Sequence, residues 1–197
     1  MQSRNTVIEE LREILIFAKT HLYQDGKCNV ELSGHTVEIL TIIGKEKIYD
    51  LSKEMYDLLD SADEVVRETV VETLGTSTGL SLPEFKETAY KIWLEDKDEN
   101  VRQSALATWA SYYIGSKNPE VLKILYKILV DENYPIDHRR TAMQKIFSVS
   151  GEPSNFYNPF NKSKHFYMVS SHIELNQKID WNEIKAVIKK YAPDVLL

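Results

Sequence analysis

Residues 95–106 read EDKDENVRQSAL, an acid-rich turn that leads into a helix with an arginine near its start. Residues 60–71 read DSADEVVRETVV and align with the first stretch at an offset of 35 residues. A more divergent third copy, VDENYPIDHRRTAM, covers residues 130–143. A repeat of this length is typical of helical hairpins that stack on one another. The sequence therefore predicts an all-α chain of antiparallel helix pairs.

Apolar residues recur at helical spacing through most of the first 150 residues. The predicted pairs are 47–59 with 62–74, 81–93 with 99–114, and 118–129 with 135–147. Weaker patterns predict helices at 5–23 and 33–43. The pattern stops near residue 150, and a last helix begins at Asp180. We therefore predict helical repeats over residues 1–150, and an aromatic-rich loop with a C-terminal capping helix over residues 151–197.

The segment Asp96-x-Asp98-x-x-Val101-Arg102-x-x-Ala105-Leu106 resembles the second-helix signature of HEAT and HEAT-like, armadillo-type repeats. Residues 61–70 are similar, and residues 137–142 form a more diverged copy with a two-residue shift. The resemblance covers residues 47–150 well, residues 1–46 poorly, and residues 152–197 not at all. It implies a right-handed superhelical solenoid of about four hairpins with an irregular C-terminal cap.

The resemblance also implies a structural role for acids and arginines. In the family, the turn aspartate and the second-helix arginine tend to form a ladder between repeats. The residues at these positions are Asp60, Asp96 and Asp131 with Arg67, Arg102 and Arg139. Because partly exposed ion pairs contribute only about 0–1 kcal/mol, such a ladder is expected to fix geometry more than it stabilises. The alternative, phosphate binding by these arginines, is opposed by their acidic neighbours.

Charge is unevenly distributed along the chain. The net charge is -6, but residues 54–100 carry 13 acidic and 4 basic residues, a net charge of -9. Such a segment attracts a basic partner at long range, although a solvated face that maintains solubility is the simpler alternative. The acids predicted to contact a partner are Asp63, Glu64, Glu84, Glu87, Glu95, Asp98 and Glu99, within an acidic surface that also includes Asp57, Asp60 and Glu68.

Aromatic residues after residue 150 have two interpretations. Tyr157, Phe160 and Tyr167 are predicted to be contact anchors, because aromatic side chains dominate interface hot spots. Alternatively, their segment covers the open end of the repeats, which otherwise exposes an apolar face. Trp93 and Trp109 fall on apolar helix faces and are predicted to lie in the core.

The predicted function is a non-catalytic protein-protein interaction module with an acidic binding surface. A narrower prediction, from charge and size, is an inhibitor or immunity-type protein that binds a basic enzyme. The alternative is a HEAT-like DNA-binding or DNA-repair protein similar to alkylpurine glycosylases, which use an acid and aromatics in a basic groove. A third possibility is a bilin-lyase-like or other modifying-enzyme subunit, so the presence of catalytic activity stays open.

No motif predicts a cofactor or a metal. The Gly75–Gly79 turn lacks the lysine of a phosphate-binding loop, and no His-Glu-x-x-His or Cys-x-x-Cys occurs. The five histidines are scattered, with His165 and His172 a weak alternative metal pair. The single cysteine excludes an internal disulfide and fits a reducing compartment. With no long apolar run, we predict a cytoplasmic protein without membrane contact; its partner and oligomeric state are not predicted.

Overall fold

A computed structural model describes residues 4–76, 78–153 and 171–196. The chain divides into two compact units, residues 1–109 and 110–197, with the boundary near the end of one helix. The division at residue 150 that the sequence suggested stays a prediction. The described elements are almost all helical, which confirms the predicted all-α, HEAT-like architecture. The superhelical shape and its handedness stay predictions.

The first unit contains most of the predicted repeats. Its elements are α1 (Arg4–His21), β1 (Tyr23–Gln24), β2 (Lys27–Cys28), α2 (Val30–Lys45), α3 (Ser52–Asp57), α4 (Glu64–Gly75), α5 (Phe85–Glu95) and α6 (Glu99–Ser111), the last of which crosses the unit boundary. Short 3₁₀ turns at Tyr49–Leu51 and Leu58–Asp60 flank α3. In this unit α2 packs on α1 and α4, and α4 also packs on α3 and α5.

Helix starts follow from short polar side chains. The Asp63 carboxylate accepts hydrogen bonds from the backbone N–H groups of Val65 and Val66 at the start of α4. Asp98 does the same for Asn100 and Val101 at the start of α6. An N-cap of this type satisfies N–H groups that the helix itself leaves without partners, and contributes about 1 kcal/mol.

The core of the first unit is apolar and closely packed. Its fully buried side chains include Leu40, Leu58, Val70, Leu74, Phe85 and Leu106. The predicted core positions Trp93 and Trp109 are only 6% and 4% exposed, and their rings stack with centroids 5.9 Å apart. Tyr90 packs against both indoles. These tryptophans therefore serve packing and are not available as an aromatic binding surface.

The second unit is built on one helical hairpin. Its helices are α7 (Pro119–Val130), α8 (Ile136–Ser150), α9 (His172–Lys178) and α10 (Trp181–Tyr191), followed by a 3₁₀ turn at Pro193–Leu196. Asn118 caps α7 just before its N-terminal proline, and Asp180 caps α10. In this unit α10 packs on both α7 and α8, and α9 packs on α8. The two later helices thus cover apolar side chains of the hairpin.

Several helix bounds differ from the sequence prediction. α2 begins three residues earlier than residue 33, because Asn29 provides its N-cap. Residues 47–59 form a short helix between 3₁₀ turns instead of one continuous helix. The first helix stops at His21, and a β-hairpin follows, in which Asp25 and Gly26 both adopt positive φ. That conformation is the one a tight two-residue hairpin turn needs.

Candidate protein-binding surface

A buried ion pair joins two successive copies of the repeated pattern in the first unit. Arg67 donates from Nε to Asp96 Oδ2 and from Nη2 to Asp96 Oδ1, each at 2.9 Å. Its Nη1 donates to the backbone carbonyl of Ser61 at 2.7 Å. The side chains are 4% and 12% exposed, so the fork lies almost out of contact with solvent. Arg67 therefore connects the segment that follows α3 and its 3₁₀ turn with the end of α5, the first helix of the next hairpin.

The two charges stabilise each other. Burial opposes the charge on Asp96, but the hydrogen bond from Arg67 and the backbone N–H of Asp98 outweigh it and hold the pKa of Asp96 below its ordinary value. Burial likewise opposes the charge on Arg67, whereas its hydrogen bond to Asp96 and the nearby carboxylates raise the pKa of Arg67. Both groups are thus charged at neutral pH and are occupied by each other.

The other two predicted ladder arginines have different contacts. Arg102 Nη1 donates to the backbone carbonyl of Asp96 at 2.8 Å, six residues back, as Arg67 does to Ser61. Arg139 is 1% exposed and donates to the Leu129 carbonyl, to His172 Nδ1 and to Asn176 Oδ1, at 2.7–2.8 Å. Its fork therefore holds α9 against α8, with neutral acceptors in place of an aspartate.

Two of the acids predicted to contact a partner, Asp63 and Asp98, instead accept hydrogen bonds within the first unit. Asp63 is 5% exposed and, besides capping α4, accepts a hydrogen bond from Cys28 Sγ at 3.1 Å. Burial opposes its charge, but hydrogen bonds from Ser33, Cys28 and the backbone lower the pKa of Asp63. The same Asp63 contact, with burial, raises the pKa of Cys28 to about 11, which keeps the thiol protonated. Asp98 is half-buried as the cap of α6.

The remaining predicted acids of the first unit are exposed. They are Glu64 on α4, Glu84 and Glu87 at the start of α5, Glu95 at its end, and Glu99 at the start of α6. Among the described residues, Glu87 has a cation nearby, at 3.5 Å from Lys86. These acids therefore lie at the starts and ends of three helices, α4, α5 and α6.

A column of three glutamates on α4 is more concentrated. Glu64, Glu68 and Glu72, which we name the acidic column, follow one another at intervals of four residues, so they lie on one face of the helix. Glu68 accepts a hydrogen bond from Ser104 Oγ of α6 at 2.8 Å. Glu72 is exposed, and the pKa of its carboxyl group is raised, first by partial desolvation and second by the charge of Glu68. The column is therefore a site of like-charge repulsion within one helix.

The sequence prediction did not include all of the column. Glu72 was missing from the predicted contacts, because it lies near the end of α4 and the predicted acids cluster at helix starts. The spacing of glutamates in residues 64–72, EVVRETVVE, was the signal that identifies the column. Arg67 is the only basic residue in this stretch, and its side chain forms the ion pair with Asp96.

A family comparison agrees with the geometry of the repeats. A family model described as HEAT repeats matches residues 52–144. Over this stretch, which is just under half of the chain, the sequence is similar to HEAT repeats. No curated protein and no solved structure matches the chain.

The contacts within these repeats place one predicted ladder residue, Asp60, outside the ladder. Ser61, Asp96 and Asp131 are equivalent, at intervals of 35 residues, and each side chain accepts the N–H of the residue two positions later, at 2.8–3.1 Å. Asp60 aligns instead with Glu95, one position earlier. Within the described residues, the hydrogen bonds of Arg67 go to Ser61 and Asp96, which leaves Asp60 exposed at the surface.

The remaining predicted sites fall outside these HEAT repeats. Tyr157, Phe160 and Tyr167, and the metal candidate His165, lie outside the described residues. His172 is described and contacts Arg139. Within residues 4–76, 78–153 and 171–196, no group of three or more His, Cys, Asp or Glu side chains is arranged to hold a metal ion. None of the helices described there is long and apolar enough to cross a membrane.

Proposed function

We propose that this protein is a non-catalytic binding module whose acidic column recognises a basic protein partner. HEAT repeats commonly act as protein-interaction modules, since stacked helical pairs present extended surfaces. The observation that carries the proposal is the acidic column of Glu64, Glu68 and Glu72, whose helix has no exposed cation.

The column is costly to the free protein. Like charges four residues apart destabilise a helix by about 0.2–0.5 kcal/mol per pair, and the column contains two such pairs. Arg67 does not neutralise it, because its guanidinium is bonded to Asp96 and Ser61. Lys45 of α2 shares a groove with only one of the three glutamates, Glu72. Cationic side chains of a partner would remove the repulsion. Binding a basic surface therefore gains both the new contacts and relief of the strain within α4.

The surroundings favour the same class of partner. Residues 1–109 carry 21 acidic and 12 basic residues, a net charge of -9. This field speeds the approach of a basic protein and repels polyphosphates such as nucleic acids. Val65, which is 49% exposed, lies next to the column and offers an apolar contact beside the charges. Affinity would then combine steering by charge with burial of a small apolar centre.

The test uses a neutralised column. The variant Glu64→Gln/Glu68→Gln/Glu72→Gln and the wild type serve as baits for proteins of the host, at low and at moderate salt. The association rate of the partner retained by the wild type is then measured with both. We expect a reduction of about tenfold for the column variant, as is typical of lost electrostatic steering.

A matched control separates local contacts from total charge. Glu10→Gln/Glu13→Gln/Glu38→Gln changes the net charge by the same amount on α1 and α2, and we expect less than a twofold effect. Equal retention of the partner by the column variant, or equal effects of both triple variants, would contradict the role of the column. Salt-dependent binding of duplex DNA without any protein partner would contradict the proposed class of partner.

The narrower form of the proposal is inhibition of a basic enzyme. It is supported by the small size and acidic charge of the chain. If the retained partner is an enzyme, its activity should fall in proportion to the bound wild-type protein and recover with the column variant. An enzyme that binds but keeps full activity would leave the binding function standing and exclude inhibition.

A further inference from the structure

An open groove lies at the ends of two neighbouring first helices in the first unit, apart from the acidic column. It is lined by Leu59, Asp60, Thr88, Lys91, Ile92, Glu95 and Asp96 and has a volume of about 290 Å³. That is at the lower limit of the roughly 300–1,000 Å³ typical of small-molecule pockets. Its size suits a single side chain better than a complete small ligand.

Two carboxylates at this groove lie at C-terminal helix ends, where the helix dipole disfavours negative charge. Glu95 is the last residue of α5, and Asp60 is the last residue of the 3₁₀ turn Leu58–Asp60. Helix C-termini carry partial negative charge, which favours cations and disfavours carboxylates. Within the described residues, neither Asp60 nor Glu95 forms an ion pair. Two independent sources of negative potential, side chains and helix ends, therefore coincide here.

The groove is held open in a fixed geometry. Ser61 and Asp96 directly follow the two rim acids in sequence, and the Arg67 fork bonds to both. This buried contact fixes the separation of the two helix ends. A site that is already arranged before binding loses less entropy when a ligand enters.

We infer that this groove receives an arginine side chain of the basic partner, between Asp60 and Glu95 and against Leu59 and Ile92. The inference rests on the proposed function. A guanidinium fits better than an ammonium group, because it is planar, weakly hydrated and donates to carboxylates in a fork, while its faces tolerate apolar contact. Lys91 lines the same groove and opposes the incoming charge, so its removal should strengthen binding.

Methyl-group NMR of the full chain tests the inference with a defined probe. N-acetyl-arginine N-methylamide and its lysine counterpart are titrated at low ionic strength while the methyl signals of Leu59 and Ile92 are followed. We expect the arginine compound to shift both signals and to bind at least threefold more tightly than the lysine compound. Glu95→Gln should weaken arginine binding about fivefold, and Lys91→Gln should strengthen it about twofold.

Glu87→Gln is the matched control, because it makes the same change on α5 outside the groove. Unshifted Leu59 and Ile92 signals, equal affinity for the two compounds, or equal effects of Glu95→Gln and Glu87→Gln would overturn the inference. Binding of the partner retained by the wild type shows whether the groove inference or the proposed function is wrong. If Glu95→Gln leaves its binding unchanged while the neutralised acidic column abolishes it, the groove inference alone is wrong.

Discussion

Replacing Asp96 with alanine should destabilise the first unit by about 3 kcal/mol. The change removes two hydrogen bonds from Arg67, both 2.9 Å long, and one acceptor for the N–H of Asp98, at 2.8 Å. It leaves the Arg67 guanidinium charged and only 4% exposed. Breaking a buried ion pair in this way costs about 3–5 kcal/mol, and the 12% exposure of Asp96, which admits some water, places the expectation at the lower end.

The complementary changes show whether the pair acts as a unit. Arg67→Met should cost about 2 kcal/mol, because Asp96 lies nearer to water and keeps its bond to the Asp98 N–H. The double variant should lose about 3 kcal/mol, well below the sum of the single losses. The resulting coupling of about 2 kcal/mol is typical of residues in direct contact.

The assay is urea unfolding followed by tryptophan fluorescence in a Trp181→Phe background. The two remaining tryptophans, Trp93 and Trp109, both lie in the core of the first unit, so the signal reports on that unit. The control is Asp57→Ala, which breaks an exposed pair with Lys19 at 3.3 Å and should cost less than about 1 kcal/mol. Additive single losses, or an Asp96→Ala loss no larger than that of the control, would refute the reasoning.

Three further predictions follow from contacts in the first unit. Because the pKa of Asp96 is lowered in the folded state, its carboxylate stabilises the fold at pH values above the ordinary aspartate pKa near 4, and this stabilisation is lost as the pH falls. In urea titrations, the difference in unfolding free energy between the wild type and Asp96→Ala should therefore decrease below about pH 4. With the pKa of Cys28 at about 11, its reaction with a disulfide reagent at pH 8 should be about 100-fold slower than that of a model thiol. Asp63→Asn keeps the helix cap but should speed that reaction about tenfold, and an unchanged rate would contradict the role of the carboxylate. Gly79→Ala should cost about 2 kcal/mol, because its methyl group would overlap backbone carbonyls at the end of α4. Gly34→Ala, at a position in α2 with open space around it, should instead stabilise the protein by about 0.5–1 kcal/mol. Thermal unfolding should therefore show a lower Tm for Gly79→Ala and a higher Tm for Gly34→Ala than for the wild type.

The helical pairs were predictable because periodic apolar residues and helix caps are local signals. The HEAT-like pattern of residues 95–106 placed a turn before a helix, and the fold has α5 end and α6 begin there. The pattern did not reveal that Asp98 caps α6 or that Arg102 bonds to a backbone carbonyl. The predicted irregular stretch contains a short helix, α9, whose seven residues are too few for a periodic pattern. It is held by the Arg139 contacts with His172 and Asn176, which are more than thirty residues distant in sequence.

The roles of individual acids were less predictable, because exposure is not visible in a charge pattern. Asp63 and Glu64 are neighbours in the sequence, yet one is a buried cap and the other is exposed. The difference follows from the helix start: an N-cap side chain turns back to the free N–H groups, whereas the next residue projects outward. Charge counting alone therefore overestimated the acids available to a partner.

The repeats themselves indicate where specificity should be sought. Arg67 and Arg102 occupy equivalent positions, and both bind a carbonyl six residues back, so the shared residues serve packing. The equivalents of the acidic column on α6, 35 residues later, are Glu99, Gln103 and Ala107. Packing does not require the column, because α6 forms without it; a mixed surface would serve α4 equally well. Three glutamates that repel one another along α4 are what the proposed recognition of a basic partner requires, so neutralising the column is the most direct test of what this surface does.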